Sequence, residues 1–244
     1  MTLRLFVDAP APLATGQVLD LPPGPARHVQ VRRLQPGDAL TLFDGRGGEW
    51  DATVQQMGRT QVTVLVGAHD PVEREAPCAV TLAVGMPAND RMDWLVEKAT
   101  ELGAASLQPL LCERSSLRLS GERAQKKRAH WQAVAVAASE QSGRNRLLDV
   151  RSQLMFQEHL DQPVAAGDAR WLLSLDPAAV PAHEALDALA PGQAVTLLSG
   201  PEGGLAPAEE AAARDAGYRP VSLGPRVLRA ETAPLAALAA LLLG

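Results

Sequence analysis

Near residue 70 the spacing of apolar residues changes, and that change bounds the fold. From Leu3 to Val66 the chain offers only short runs in which apolar and polar residues alternate: Leu3 to Val7, Ala39 to Phe43, Trp50 to Gln55 and Gln61 to Val66. Successive strand residues point to opposite faces, so a period of two marks strands with one buried side. Pro22-Pro23-Gly24-Pro25, Pro36-Gly37-Asp38 and Asp44-Gly45-Arg46-Gly47-Gly48 supply turns between them. The pattern predicts a small β-barrel with no long helix. Ala68 to Pro77, with two prolines and four charges, reads as a linker.

Beyond it the pattern alternates between strand-length and helix-length segments. Strands are expected at Val80 to Val84, Ser106 to Leu111, Trp171 to Leu175, Ala194 to Leu198 and Pro220 to Leu223. Met92, Leu95, Val96, Ala99 and Leu102 recur at helical spacing over Arg91 to Leu102, and Gly103 supplies the stop. Further helices are expected over Glu122 to Ser142, Pro181 to Leu189, Pro207 to Ala216 and Thr232 to Leu243, the last with Pro234 in its first turn. Such alternation predicts an α/β domain built on a mainly parallel sheet. The division is therefore a small β domain over 1–70 and an α/β domain over 71–244, with strand order left open.

A chain of 244 residues with 46% hydrophobic residues can bury a substantial core. Its longest apolar run, Leu235 to Leu243, is too short to span a bilayer, and the N-terminus lacks the features of a secretory signal, so a cytoplasmic protein without membrane contact is expected. Cys78 and Cys112 match no metal-ligand spacing, and His69, His130, His159 and His183 have no carboxylate or cysteine partners at such spacing; no metal is expected. The net charge of -5 argues against non-specific coating of nucleic acid, but it is unevenly spread. Arg114 to Arg151 carries nine basic and three acidic residues, against 14 and 25 in the rest of the chain. That local surplus suits a selective phosphate-binding surface, or simply a solvated helix face.

Two loops carry the chemistry. Leu198-Ser199-Gly200-Pro201-Glu202-Gly203-Gly204 and Ser222-Leu223-Gly224-Pro225-Arg226-Val227-Leu228-Arg229-Ala230-Glu231-Thr232-Ala233 each follow an apolar run and precede a helix. Glycines there let a backbone approach a ligand closely. Neither loop has the Gly-x-x-x-x-Gly-Lys of a phosphate cradle or the Gly-x-Gly-x-x-Gly of a dinucleotide fold, and Glu202 would repel a polyphosphate. A ligand without phosphates fits better.

These loops, with Arg91-Met92-Asp93-Trp94-Leu95-Val96-Glu97-Lys98-Ala99-Thr100-Glu101-Leu102-Gly103, Glu113-Arg114-Ser115, Ser139-Glu140-Gln141-Ser142-Gly143-Arg144, His28-Val29-Gln30-Val31-Arg32-Arg33-Leu34 and Leu42-Phe43-Asp44-Gly45, resemble in order the SPOUT methyltransferases that act on N3 of a uridine in bacterial small-subunit ribosomal RNA. The resemblance covers nearly the whole chain. It implies a PUA-like β-barrel followed by a SPOUT α/β domain with a deep trefoil knot, a homodimer, S-adenosylmethionine as cofactor, and ribosomal RNA of an assembled or assembling small subunit as partner. Carried over residue by residue, it places Leu175, Leu198, Gly200, Glu202, Gly203, Leu223, Gly224 and Leu228 at the cofactor.

Methylating N3 of uracil requires loss of the imide proton, and a cation near O2 or O4 would stabilise the anion. Arg229 is the candidate, with Glu231 to orient it or relay the proton; an ion pair between the two that caps the last helix is the alternative. Arg4, His28, Arg32 and Arg33 are candidates for RNA contacts in the barrel, and Arg114, Lys126, Lys127, Arg128, Arg144 and Arg146 in the basic stretch. A methyltransferase acting on a ribose hydroxyl or another base, and a non-catalytic RNA-binding protein of the same fold, are the competing readings.

Overall fold

The computed structural model describes residues 2–59, 61–88 and 90–243. They form two compact units: Met1–Glu75 with Ser139–Leu147, and Ala76–Ala138 with Leu148–Gly244. The first unit therefore contains a segment from the middle of the chain as well as the N-terminal region.

In the first unit β1 (Leu3–Phe6), β2 (Val18–Asp20), α1 (Pro23–Val31), β3 (Ala39–Phe43), β4 (Glu49–Met57) and β5 (Val62–Asp70) follow one another. The sheet order is β1-β3-β4-β5-β2, with β1 and β3 parallel and the other pairs antiparallel. Trp50, Ala52 and Val54 of β4 alternate inward and meet Val62, Val64 and Val66 of β5, as the period of two requires. Register shifts between Trp50/Ala52 and Val54/Gln56 bend this hairpin.

Two expectations need correction here. The run from Pro22 to Pro25, taken as a turn, starts the nine-residue helix α1, with proline in its first turn. The fixed φ of proline suits that position and its missing N–H costs nothing there; Ala26 and Val29 then seat the helix on the core. The strand β5 also continues through Ala68, His69 and Asp70, where a linker was expected, because His69 and Asp70 pair with Trp50 and Glu49.

Charges are paired within this unit. Glu49 receives hydrogen bonds from Arg4 and Arg74. Burial alone would raise its pKa, but the bonds from Arg74 and Arg4 and the Arg4 charge outweigh that and bring it to about 2.

The second unit contains β6 (Val80–Gly85), α2 (Asp90–Glu101), β7 (Ser106–Leu111), α3 (Gly121–Ser142, its last residues counted with the first unit), β8 (Asp149–Val150), β9 (Leu154–Met155), α4 (Phe156–Leu160), β10 (Ala169–Leu173), β11 (Val180–Pro181), α5 (Ala182–Asp187), β12 (Val195–Ser199), α6 (Pro207–Asp215), β13 (Arg219–Ser222) and α7 (Thr232–Leu242). The sheet runs β11-β13-β10-β12-β6-β7-β8, with β9 also on β7, and every pair is parallel.

Helices cover both faces, so the strands are apolar on both sides. Leu82, Val84, Trp171 and Leu197 pack with Met92, Leu95, Val96 and Ala99 of α2 and with Leu235 and Leu238 of α7. Ala83, Leu172 and Leu198, one residue out of phase, pack instead with Leu110, Phe156, Ala213 and Tyr218. Each fully buried leucine contributes roughly 2 kcal/mol of transfer free energy. The C-terminus of α2 is closed by Gly103 at φ +96, with Gly103 N–H donating to Thr100 O and Ala104 N–H to Ala99 O. Cys78 and Cys112 are free thiols. Among the described residues no helix is long and apolar enough to cross a membrane.

Candidate active site

The adjacent strands β13, β10 and β12 end side by side, and their following loops wall a cavity of ≈ 570 Å³. Ser174 and Leu175 come from the first of these loops in sequence, Ser199 to Leu205 from the second, and Leu223, Gly224 and residues 226–230 from the third, with Arg91 of α2, Glu210 of α6 and Ala233 of α7 also on the wall. Ligand sites in open parallel sheets lie at the carboxyl ends of strands, because there the loops diverge and backbone groups point outward.

Glycine is required in the second loop by close approach. A Cβ on Gly200 would lie 2.7 Å from Leu205 N and 2.8 Å from the Gly204 carbonyl carbon, so the loop can return on itself only without one. Gly204 N–H closes the turn on Pro201 O at 2.8 Å. In the third loop Gly224 stands at φ +102, a conformation open to glycine, and its N–H donates to Ser222 Oγ.

Leu175, Gly200, Glu202, Gly203, Leu223, Gly224 and Leu228 all line the cavity. Leu198 does not: its side chain is fully buried in the sheet core against the α6 side. Glu202 accepts from Ala88 N–H at 2.9 Å and from Arg91 at 3.4 Å, which ties the loop to the start of α2.

Arg229 lines the cavity with an exposed side chain that no hydrogen bond or ion pair engages among the described residues. Its carbonyl accepts from Thr232 and Ala233 N–H, which fixes the backbone at the start of α7. Glu231 is 7% exposed, and its Oε2 has no hydrogen-bond partner. Its cationic neighbour is Arg91, with Nε 3.9 Å from Oε1, so the Arg229–Glu231 pair weighed from sequence does not form. Arg91 appeared in sequence only as part of a motif. It gave no local signal, since its carboxylate neighbours lie more than a hundred residues away. Ser199, buried at the end of β12 with an unpartnered Oγ on the cavity wall, was likewise silent.

The candidate RNA contacts fall in both units. Arg4 is half-buried, bonded to Glu49 and to Asn145 Oδ1 at 2.7 Å, and Arg144 is buried against Glu75. The charges of both are met by carboxylates within the first unit. His28 is exposed with Nδ1 3.6 Å from Glu140 Oε2, and burial lifts the Glu140 carboxyl above its ordinary pKa. Arg32 and Arg33 are exposed at the end of α1, Arg33 at φ +56, and Arg146 is exposed beside Glu73.

In the second unit Lys126 pairs with Glu122 on the solvent face of α3, Lys127 is half-buried, and Arg128 Nε donates to Val150 O at 2.8 Å. Arg114 turns toward the glycine loop, with Nη1 donating to Gly203 O and Leu205 O.

Aliphatic walls, loop carbonyls and amides, an unpartnered buried hydroxyl and the carboxylates of Glu202 and Glu210 suit a ligand with a heterocycle and a cationic centre, and Arg91, Arg226 and Arg229 on the same wall suit its carboxylate or an anionic substrate group. S-adenosylmethionine has that chemistry. Among the described residues no cluster of three His, Cys, Asp or Glu could hold a metal.

A family model described as an RNA methyltransferase domain matches residues 74–242, and a second, described as an RNA methyltransferase PUA domain, matches residues 26–67. Fold, cavity and these matches define an RNA methyltransferase. Curated relatives named ribosomal RNA small subunit methyltransferase E include one from Bacillus subtilis, 36% identical over 87% of this chain and 84% of its own, and one from Synechocystis, 37% identical over 86% and 67%. A crystal structure of that enzyme from Neisseria gonorrhoeae, bound to S-adenosyl methionine, superimposes with a TM-score of 0.89 at 35% identity and covers 98% of this chain and 96% of its own. The chain belongs to the ribosomal RNA small subunit methyltransferase E family.

Proposed function

We propose that this protein methylates N3 of a specific uridine in 16S ribosomal RNA, with S-adenosylmethionine as methyl donor. The observation that carries the reading is the cavity at the ends of β13, β10 and β12, whose loops combine backbone polar groups, aliphatic walls and the exposed arginines Arg226 and Arg229. When bound, the cofactor supplies a methyl group activated by a sulfonium, so no metal is needed.

Residues 200–204 and 223–228 hold the cofactor, and Leu175 covers an apolar part of it. Arg229 then has one task, to place its guanidinium at O2 or O4 of the uracil so that N3 can lose its proton at modest cost. Its lack of a carboxylate partner supports that role, because an arginine already in an ion pair would offer less to a developing anion. Glu231, buried beside Arg91, sits two residues away as an acceptor for the N3 proton or as a group that orients the cluster.

The finer reading includes a deep trefoil knot, a homodimer, an assembled or assembling small subunit as substrate, and the cytoplasm as location. Support for the knot comes from the connection after β13: β13 lies beyond β10, yet α7 packs against β12, β6 and α2, so the chain returns past β10 after β13. Arg32, Arg33, Arg146, Lys126 and Lys127 are the basic side chains proposed to meet RNA.

Single-turnover transfer of labelled methyl to small subunits and to naked 16S RNA, with mass spectrometry of the nucleosides, tests the proposal. N3-methyluridine is the expected product; a methylated ribose would move the reading to the hydroxyl chemistry, and no product with cofactor bound would leave an RNA-binding protein.

A further inference from the structure

We propose that Arg114 is a positioning residue that sets the shape of the glycine-rich loop 200–205, through hydrogen bonds to its carbonyls. Arg114 follows β7 in a tight turn in which Ser115 Oγ accepts from Cys112 N–H at 3.0 Å and Ser115 N–H donates to Cys112 O at 3.1 Å. From this turn Nη1 donates to Gly203 O at 3.1 Å and to Leu205 O at 3.2 Å. The stem packs as well: a Cβ on Gly203 would sit 3.1 Å from Arg114 Cβ, so the glycine admits the arginine stem alongside the loop.

A second brace uses a carboxylate of α6. Glu209 on α6 accepts from Glu113 N–H at 2.8 Å and from Ala206 N–H at 2.9 Å. Thus the turn after β7 donates in both braces, from the Arg114 guanidinium to loop carbonyls and from the Glu113 amide to the Glu209 carboxylate, which also holds the Ala206 amide at the end of the loop. Charge-assisted bonds of this kind are about twice as strong as neutral ones. The loop's other face lines the cavity, so its ligand-facing shape is fixed before any ligand arrives, and a preformed loop spends less binding free energy on ordering.

The inference rests on the cofactor reading of this loop and reassigns an arginine that its sequence context suggested for RNA. Arg114→Met keeps the stem and removes both donors, whereas Arg114→Lys restores a single donor. In the ligand-free protein, amide hydrogen exchange over 200–205 should accelerate in the Met variant and partly recover in the Lys variant. Affinity for S-adenosylhomocysteine by calorimetry should fall roughly tenfold in the Met variant and less in the Lys variant. The salt dependence of RNA binding should stay that of the parent.

Unchanged loop exchange together with unchanged affinity overturns the proposal. So does a salt slope reduced by roughly one phosphate with cofactor affinity intact, since that is the mark of an RNA contact. Should the Met variant fail to fold, the Lys variant carries the same exchange and affinity measurements. Failure of the parent protein itself to bind the cofactor would sink the functional reading, while loop exchange still reports on the brace.

Discussion

At the scale of single residues, Arg229 and His159 make opposite use of their surroundings. Arg229 is exposed and unengaged at the cavity wall, so its charge is available to a substrate. Replacing it by Met retains most of the aliphatic volume and should cost roughly a hundredfold in turnover, comparable to deleting one oxyanion donor. Cofactor affinity should stay near that of the parent, and higher pH should partly rescue the variant by helping to ionise N3. Loss of cofactor affinity in parallel with turnover would make Arg229 a structural residue of the loop. His159, by contrast, is buried with Nε2 2.8 Å from the Tyr218 hydroxyl. Burial, with the Arg170 and Arg151 charges, lowers its pKa to about 4, and burial raises that of Tyr218 to about 12. A histidine that is neutral when folded and ordinary when unfolded binds its proton preferentially in the unfolded state between about pH 6.5 and 4. Stability should therefore fall as pH drops through that window, by up to ~1.4 kcal/mol per pH unit from this group. Chemical denaturation of the parent and of His159→Gln from pH 7 to 5 checks it, since the Gln variant should show the flatter profile; equal slopes would assign the acid sensitivity elsewhere. Glu49, already ionised down to about pH 2, adds acid sensitivity only below its ordinary range.

Among elements, the glycine loop offers the cleanest test because its geometry leaves a side chain nowhere to go. Gly200→Ala would place a Cβ within 2.8 Å of loop backbone, and backbone cannot yield as a side-chain tip can. The variant should lose about 1–3 kcal/mol of stability, the usual cost of overpacking, and bind cofactor more weakly. A melting curve and a cofactor titration that both match the parent would mean that the loop tolerates another path. This loop and its partner after β13 were legible in the sequence, since glycine and proline at a strand end leave a local mark. The α2 stripe was legible too: Met92, Leu95, Val96 and Ala99 are all buried as their spacing implied. The helix α1 was hidden because proline reads equally as a turn and as a first helical position. The short strands β2, β8, β9 and β11 and the five-residue helix α4 were missed as well, for they hold too few residues to show a period. Arg91 and Glu231 were placed together by tertiary contact alone, which no local pattern encodes. For the same reason Leu198 was drawn into the site by its motif although the pleat turns its side chain into the core.

For the molecule as a whole, the question is how an acidic chain selects a polyanion. With a net charge of -5, non-specific attraction to RNA is weak, so binding must come from local clusters whose charges are not already spent on carboxylates. The structure sorts the basic residues by that criterion. Arg4 and Arg144 are committed to Glu49 and Glu75, and Arg128 is tied to the Val150 carbonyl. Arg32 and Arg33 in the first unit, and Lys126 and Lys127 in the second, are the better placed candidates, with Lys126 held only by an exposed pair to Glu122 that contributes a few tenths of a kcal/mol. Neutralising each pair separately, as Arg32→Gln with Arg33→Gln and as Lys126→Gln with Lys127→Gln, should lower the slope of log affinity against log salt by roughly one to two units, because each phosphate contact releases about 0.7 to 0.9 counterions. If both units contact one RNA, the quadruple variant should show the sum of the two reductions, while cofactor affinity stays unchanged because none of the four residues lines the cavity. Filter binding between 50 and 300 mM salt, a range of about that span being wide enough to resolve one counterion, measures all three variants. A reduction from the arginine pair alone would confine RNA recognition to the first unit and leave the basic stretch of α3 as a solvated face.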